Sequence, residues 1–120
     1  MRIALINEDS QADKNSLILK VLNEVADKYG NVVDNYGMYS EKDKHQINYI
    51  QVGILASIIL ETGMADFVVT GCGTGQGAMI SCLNTTRCLF VFTDQCRKCN
   101  FYPVCTTIWL GFGSKFENVV

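Results

Sequence analysis

The chain opens on an unbroken apolar run, Ile3-Ala4-Leu5-Ile6, and turns polar at Asn7. Such runs suit parallel strands covered on both faces, so Arg2–Asn7 is expected as a buried strand. Asp9-Ser10 supplies an N-cap signal, and Ser10 with Asp13 has capping-box spacing. A helical period follows, with Ile18, Val21, Leu22, Val25 and Tyr29 on one face and Gly30 as its C-cap. Asn31 to Tyr36 reads as a weaker second strand, and Gly37 to Lys44 as a polar loop. Asp43 with Gln46 repeats the capping-box spacing before a second helix. Its apolar positions Ile47, Ile50, Ile54 and Ile58 share one face, widened by Leu55 and Ile59, and Gly63 stops it. Asp66 to Thr70 is expected as a third strand that runs into a glycine-rich loop. A third helix begins near Gly75 and passes through Met79 and Ile80. Cys88 to Phe92 reads as a fourth strand, Asp94 to Pro103 as loop, and Thr106 to Leu110 as a fifth strand.

Alternating strands and helices predict an α/β fold: a Rossmann-like three-layer α/β/α domain with a parallel sheet of about five strands and right-handed crossovers. At 120 residues the chain has the size of one domain, without repeats or a linker. Its 48% hydrophobic and 18% charged residues are a globular composition. A net charge of −2 offers no basic field for nucleic acid or an anionic membrane, so no partner of either kind is expected. Any phosphate on a ligand must be held locally, by backbone amides or a few side chains. The N-terminus does not read as a signal peptide, and the greasiest stretch, Val52 to Leu60, is too short to cross a bilayer. The expected compartment is the cytoplasm. All six cysteines fall at or after Cys72, unlike a secreted disulfide scaffold, and read as mostly reduced thiols.

Candidate chemistry centres on Gly71-Cys72-Gly73-Thr74-Gly75-Gln76-Gly77. In open parallel sheets ligands bind at the carboxyl ends of strands, where this loop falls. Glycines at 71, 73, 75 and 77 let backbone amides approach a ligand oxygen, and the helix behind them favours an anion. Thr74 adds a hydroxyl donor. No lysine follows as in a P-loop, and the glycine spacing is not that of a dinucleotide fingerprint. Cys72, just ahead of a helix N-terminus, is placed to act as a base or nucleophile. The competing reading is a small buried residue that closes a strand.

From Met1 to about Met79 the sequence resembles the sugar-phosphate isomerases of the ribose-5-phosphate isomerase B and galactose-6-phosphate isomerase family. The resemblance is carried by Cys72-Gly73-Thr74-Gly75-Gln76-Gly77 after a hydrophobic strand, and by the polar turn Asn7-Glu8-Asp9-Ser10-Gln11 after the first strand. It implies aldose–ketose isomerisation of a small phosphorylated sugar through a cis-enediol, in a homodimer that needs no metal or cofactor. Cys72 then moves a proton between adjacent sugar carbons. Thr74 and the amides of Gly73, Gly75 and Gly77 stabilise the enediolate oxygen. Asn7, Glu8, Ser10, Gly71 and Gln76 complete the expected substrate site. The family's Asp-His pair after the first strand is here Glu8-Asp9, and the ring-opening histidine beyond the glycine loop is missing. The single histidine is His45, read as a solvated residue. Only Arg87 and Arg97 are candidates for the family's phosphate-gripping arginines. A relative that binds a phosphorylated sugar or other small anion without turning it over is the alternative.

The stretch Cys82 to Trp109 matches nothing in that family pattern and holds five cysteines. One hypothesis for such a break is a change of reading frame in the gene, which fails if neither of the other two frames restores a family-like segment after Asn84. Cys96, Cys99 and Cys105, with Cys88 or Cys82, form a weak zinc pattern that lacks a second C-x-x-C. Free thiols are the preferred reading, and no metal is expected.

Overall fold

The computed structural model describes residues 1–72, 76–85, 89–93 and 106–111. Five strands form one sheet: β1 (Arg2–Asn7), β2 (Val32–Asn35), β3 (Phe67–Cys72), β4 (Leu89–Thr93) and β5 (Thr106–Gly111). Three α-helices connect them: α1 (Asn15–Lys28), α2 (Tyr49–Glu61) and α3 (Gln76–Thr85). The strand order is β2-β1-β3-β5-β4. β1 pairs in parallel with both β2 and β3, as the alternation predicts. β5 departs from the all-parallel expectation, because it runs antiparallel to β3 on one side and to β4 on the other. With no helix among the described residues after β4, β5 can return beside it and fill the position between β4 and β3.

The two faces of the sheet carry separate cores. Ile3, Leu5 and Val69 meet Ala26, Ile18, Leu19 and Leu22 of α1 on one face. Ala4, Ile6, Val68 and Cys72 meet Val52, Ala56, Ile59 and Leu60 of α2 and Ala78 and Cys82 of α3 on the other. This is the three-layer arrangement expected from the unbroken apolar run in β1. Each fully buried aliphatic side chain contributes about 1.5–3 kcal/mol.

Both helical faces are rotated from those read in the sequence. On α1, Ile18 and Leu22 pack as expected, but Val21, Val25 and Tyr29 are exposed, and Leu19 and Ala26 take their place. On α2, Ile50, Ile54 and Ile58 are exposed, whereas Val52, Gly53, Ala56, Ile59 and Leu60 are buried. An almost wholly apolar helix gives periodicity little to discriminate, so the close α2–α3 approach at Gly53 selects the buried side. A Cβ on Gly53 would lie 2.2 Å from Ser81 Oγ and 2.9 Å from the Ser81 carbonyl carbon.

The start signals also resolve differently. Residues Asp9–Lys14 form a 3-10 helix before α1, and Ser10 bonds to Glu8 rather than forming a capping box with Asp13. The capping box of α2 is Asn48 with Gln51. Asp43 instead accepts the Tyr39 amide at 2.6 Å. The stop signals hold: Gly30 and Gly63 adopt φ of 67° and 70° just past their helices.

Candidate active site

The polar residues of the first turn are fixed by burial at the carboxyl end of β1. Asn7 is 2% exposed and its Nδ2 donates to Asn15 Oδ1 at 2.9 Å. This joins the end of β1 to the first residue of α1. The Asn7 carbonyl accepts the Met38 amide at 3.1 Å. Gly37 lies so close that a Cβ there would sit 2.4 Å from the Asn7 nitrogen, a backbone clash that no rotamer relieves.

Glu8 follows in extended geometry (φ −91°, ψ 179°) and is 4% exposed. The Ser10 hydroxyl donates to Glu8 Oε1. Burial pushes the Glu8 carboxyl above its usual range; a hydrogen bond with Asp9 and the charge of Asp9 push the same way, against the Ser10 hydroxyl. The Asp9 amide donates to the Ile47 carbonyl at 2.9 Å, which ties this turn to the segment entering α2.

Across the sheet, β1 and β3 stay in register to their ends, with Ile6 opposite Thr70 and Asn7 opposite Gly71. The two chains therefore finish side by side, and the first turn and the glycine-rich loop share one end of the sheet. Cys72 is the last residue of β3, buried in the core under α2 and α3, and its thiol forms no disulfide. Gly71 is buried beside it. α3 begins four residues later at Gln76, as the loop-to-helix reading requires. Gly77, in its first turn, packs on the Tyr49 ring, and a Cβ there would meet ring carbons at 3.4 Å.

Asn7, Glu8, Ser10, Gly71, Cys72 and Gly77 are thus brought to one end of the molecule. Gly73, Thr74 and Gly75 lie outside the described residues, as does the side chain of Gln76. Arg87, Arg97, Cys88, Cys96, Cys99 and Cys105 also lie outside them. Among the described residues no cluster of histidine, cysteine, aspartate or glutamate could hold a metal ion. His45 is exposed, before α2.

Sequence reasoning missed two residues here. Asn15, 1% exposed, is the buried partner of Asn7, and its own Nδ2 has no hydrogen-bond partner among the described residues. Thr70, also 1% exposed, likewise leaves its hydroxyl unpartnered next to Ile6. Asn15 sits in a polar stretch and Thr70 in an apolar one, so neither carried a signal beyond its polarity.

Comparison with known proteins agrees with this architecture. The structure is similar to a ribose-5-phosphate isomerase from Vibrio parahaemolyticus, with 54% identity and a TM-score of 0.67 over 69% of this chain and 39% of that one. It is equally similar to a 4-deoxy-L-threo-5-hexosulose-uronate ketol-isomerase solved with tartrate, at 54% identity and a TM-score of 0.68 over 70% of this chain and 39% of that one. A ribose-5-phosphate isomerase B from Clostridium thermocellum shares the fold at 20% identity, with a TM-score of 0.52 over 68% of this chain and half of that one. The matches thus span well under half the length of the first two relatives. No curated protein sequence matches the chain. The sequence pattern of the ribose/galactose isomerases matches residues 3–95, further than the limit near Met79 read from the motifs. A match over most of its length, on a sheet that ends in these two turns, makes this chain a member of the ribose/galactose isomerase family.

Proposed function

We propose that the chain is an aldose–ketose isomerase that works through a cis-enediol with Cys72 as the carbon base. One observation carries this reading: the thiol stands at the carboxyl end of β3, ahead of α3 and beside the polar turn of β1. A C–H proton next to a carbonyl is removed at useful rates only when the base is positioned and the oxyanion is stabilised. Cys72 supplies the base. Thr74 and the amides of Gly73, Gly75 and Gly77 are assigned to the oxyanion, and Asn7, Glu8, Ser10, Gly71 and Gln76 to the sugar hydroxyls.

The substrate we assign is a small phosphorylated sugar. The uronate ketol-isomerase among the similar structures favours a second reading, a sugar acid whose carboxylate takes the place of the phosphate. Both are anions, and both suit amides at the head of a helix. A homodimer in the cytoplasm, without nucleic acid, is part of the same proposal. Among the described residues no helix is long and apolar enough to cross a membrane. The alternative, a relative that binds the sugar without converting it, draws support from the single exposed histidine.

The test is turnover of ribose 5-phosphate, galactose 6-phosphate and 4-deoxy-5-hexosulose-uronate by the wild type and Cys72→Ala. Conversion of one of them, reduced about 10²-fold or more in the variant, is the expected result. A folded wild type that binds one of these sugars but converts none identifies the binding-only relative.

A further inference from the structure

We propose that the outer face of α2 is an interface to a second copy of this chain, with the two α2 helices packed antiparallel across a two-fold axis. This face gives the proposed homodimer a place for its copies to meet, and it stands apart from the isomerase chemistry.

The face is built from apolar residues that the fold leaves uncovered. Ile50, Ile54 and Ile58 recur every four residues along α2 and are 53%, 47% and 51% exposed. They form a ridge along the helix. Beside it Ile47, Gln51, Ile54 and Leu55 line an apolar groove of about 260 Å³. The Ser81 hydroxyl of α3 donates to the Ile50 carbonyl at 3.3 Å, and its chain neighbour Ile80 adds a further exposed isoleucine. No charged residue occurs from Gln46 to Leu60. Single exposed apolar side chains are ordinary, but a charge-free row of them has the composition of an interface core. α1 gives the contrast. Its Leu17, Val21 and Val25 are also exposed, but Lys20 and Glu24 interleave with them, 4.0 Å apart, and Lys28 follows. That row is a solvated face, and α2 carries no such charges.

Shape and charge both point to a second copy as the occupant. A ridge of residues four apart packs into the groove between such rows on a facing helix. Here ridge and groove lie side by side on one helix, so a two-fold axis sets each copy's ridge in the other's groove. α2 has 13 residues and is about 20 Å long, so Ile54 near its middle lies close to that axis. Antiparallel packing also brings the C-terminal end of one helix to the N-terminal end of the other. Glu61, the last residue of α2, stands at the negative end of its own helix, where a carboxylate is disfavoured. Lys44 precedes the positive end. Both are exposed, and neither forms an ion pair among the described residues. Asp43 beside Lys44 is engaged by the Tyr39 amide. Across the axis Glu61 approaches the partner's Lys44 and the positive end of the partner's helix. The same contact repeats on the other side, as an isologous interface requires.

The test is sedimentation velocity on the full chain at about 1–200 μM, without substrate. The wild type is expected to be dimeric at the upper end of that range. Ile54→Lys changes a half-exposed position, so it costs the fold little, and it should weaken the dimer about tenfold or more. Val25→Lys, on the outer face of α1, should leave association unchanged. Lys44→Glu and Glu61→Lys should each weaken the dimer by bringing like charges together, and the double variant should restore it. A wild type that stays monomeric throughout leaves the face to a different chain and overturns the proposal. So does a dimer that Ile54→Lys leaves intact. Charge variants that all associate like the wild type overturn the antiparallel arrangement. Circular dichroism checks that Ile54→Lys is folded, and if it is not, the charge variants decide the outcome. No substrate enters these measurements, so a failure of the sugar panel bears on the isomerase reading alone.

Discussion

At the scale of single residues, the first turn shows how burial changes what an acidic residue does. Glu8 reads in the sequence as a polar ligand contact, but the fold removes it from water and gives it Asp9 and Ser10 as neighbours. Its carboxyl holds its proton to higher pH in the folded chain than in the unfolded one. Just above the reference value of 4.5 the folded state therefore binds more protons, and stability falls there as pH rises. Urea midpoints measured across that window should fall with pH in the wild type and flatten in Glu8→Gln. Equal slopes in the two proteins would refute the burial of this carboxyl. Cys72 between glycines and a polar turn after an apolar strand are local signals, and the β1–β3 register brings both to one end of the sheet. The Asn7–Asn15 bond was not legible, since it depends on α1 starting where β1 ends, and a side-chain partner eight residues away has no sequence mark.

At the scale of elements, strand and helix positions were legible and helix faces were not. β1 and β3 carry continuous apolar runs, and their positions agree with the reading to within two residues. α2 is apolar on nearly every side, so its orientation is set by what it must approach, and that is α3. Gly53 lets the two helices meet at Ser81. Gly53→Ala should cost about 1–3 kcal/mol, from overpacking against backbone atoms of α3, measured by equilibrium unfolding. A variant as stable as the wild type would show that the helices do not pack at this point. The capping box had the right motif in the wrong place: Asp43 and Gln46 have the spacing, but Asn48 and Gln51 have the bonds. Several polar residues in succession offer several such pairs, and the first apolar turn packed on the sheet decides which one is used.

At the scale of the whole molecule, the family pattern reaches residue 95, whereas the motifs that carry the resemblance stop near Met79. The remaining segment, rich in cysteine, is where a shifted reading frame would leave its trace. Translating the gene in its other two frames should restore an isomerase-like segment in one of them beyond residue 95. If neither frame does so, the frame-change explanation is wrong. The α/β class was legible because alternating elements of this length have few other solutions. The reversed direction of β5 was not, because an apolar strand looks the same whichever way it runs.

That reversal bears on how the chain is made. β4 is formed before β5 along the chain, yet β5 lies between β4 and β3. A polypeptide leaving the ribosome can assemble β1, β2, β3 and their helices first, while one side of β3 still has its amides and carbonyls unpaired. That side is closed only when residues 106–111 have emerged and slid into place. Until then the nascent domain carries an open strand edge, the feature that invites pairing with another chain. Synthesis thus has a vulnerable interval whose length is set by the stretch of chain between Cys72 and Thr106, and a chaperone or a fast final step has most to offer within it.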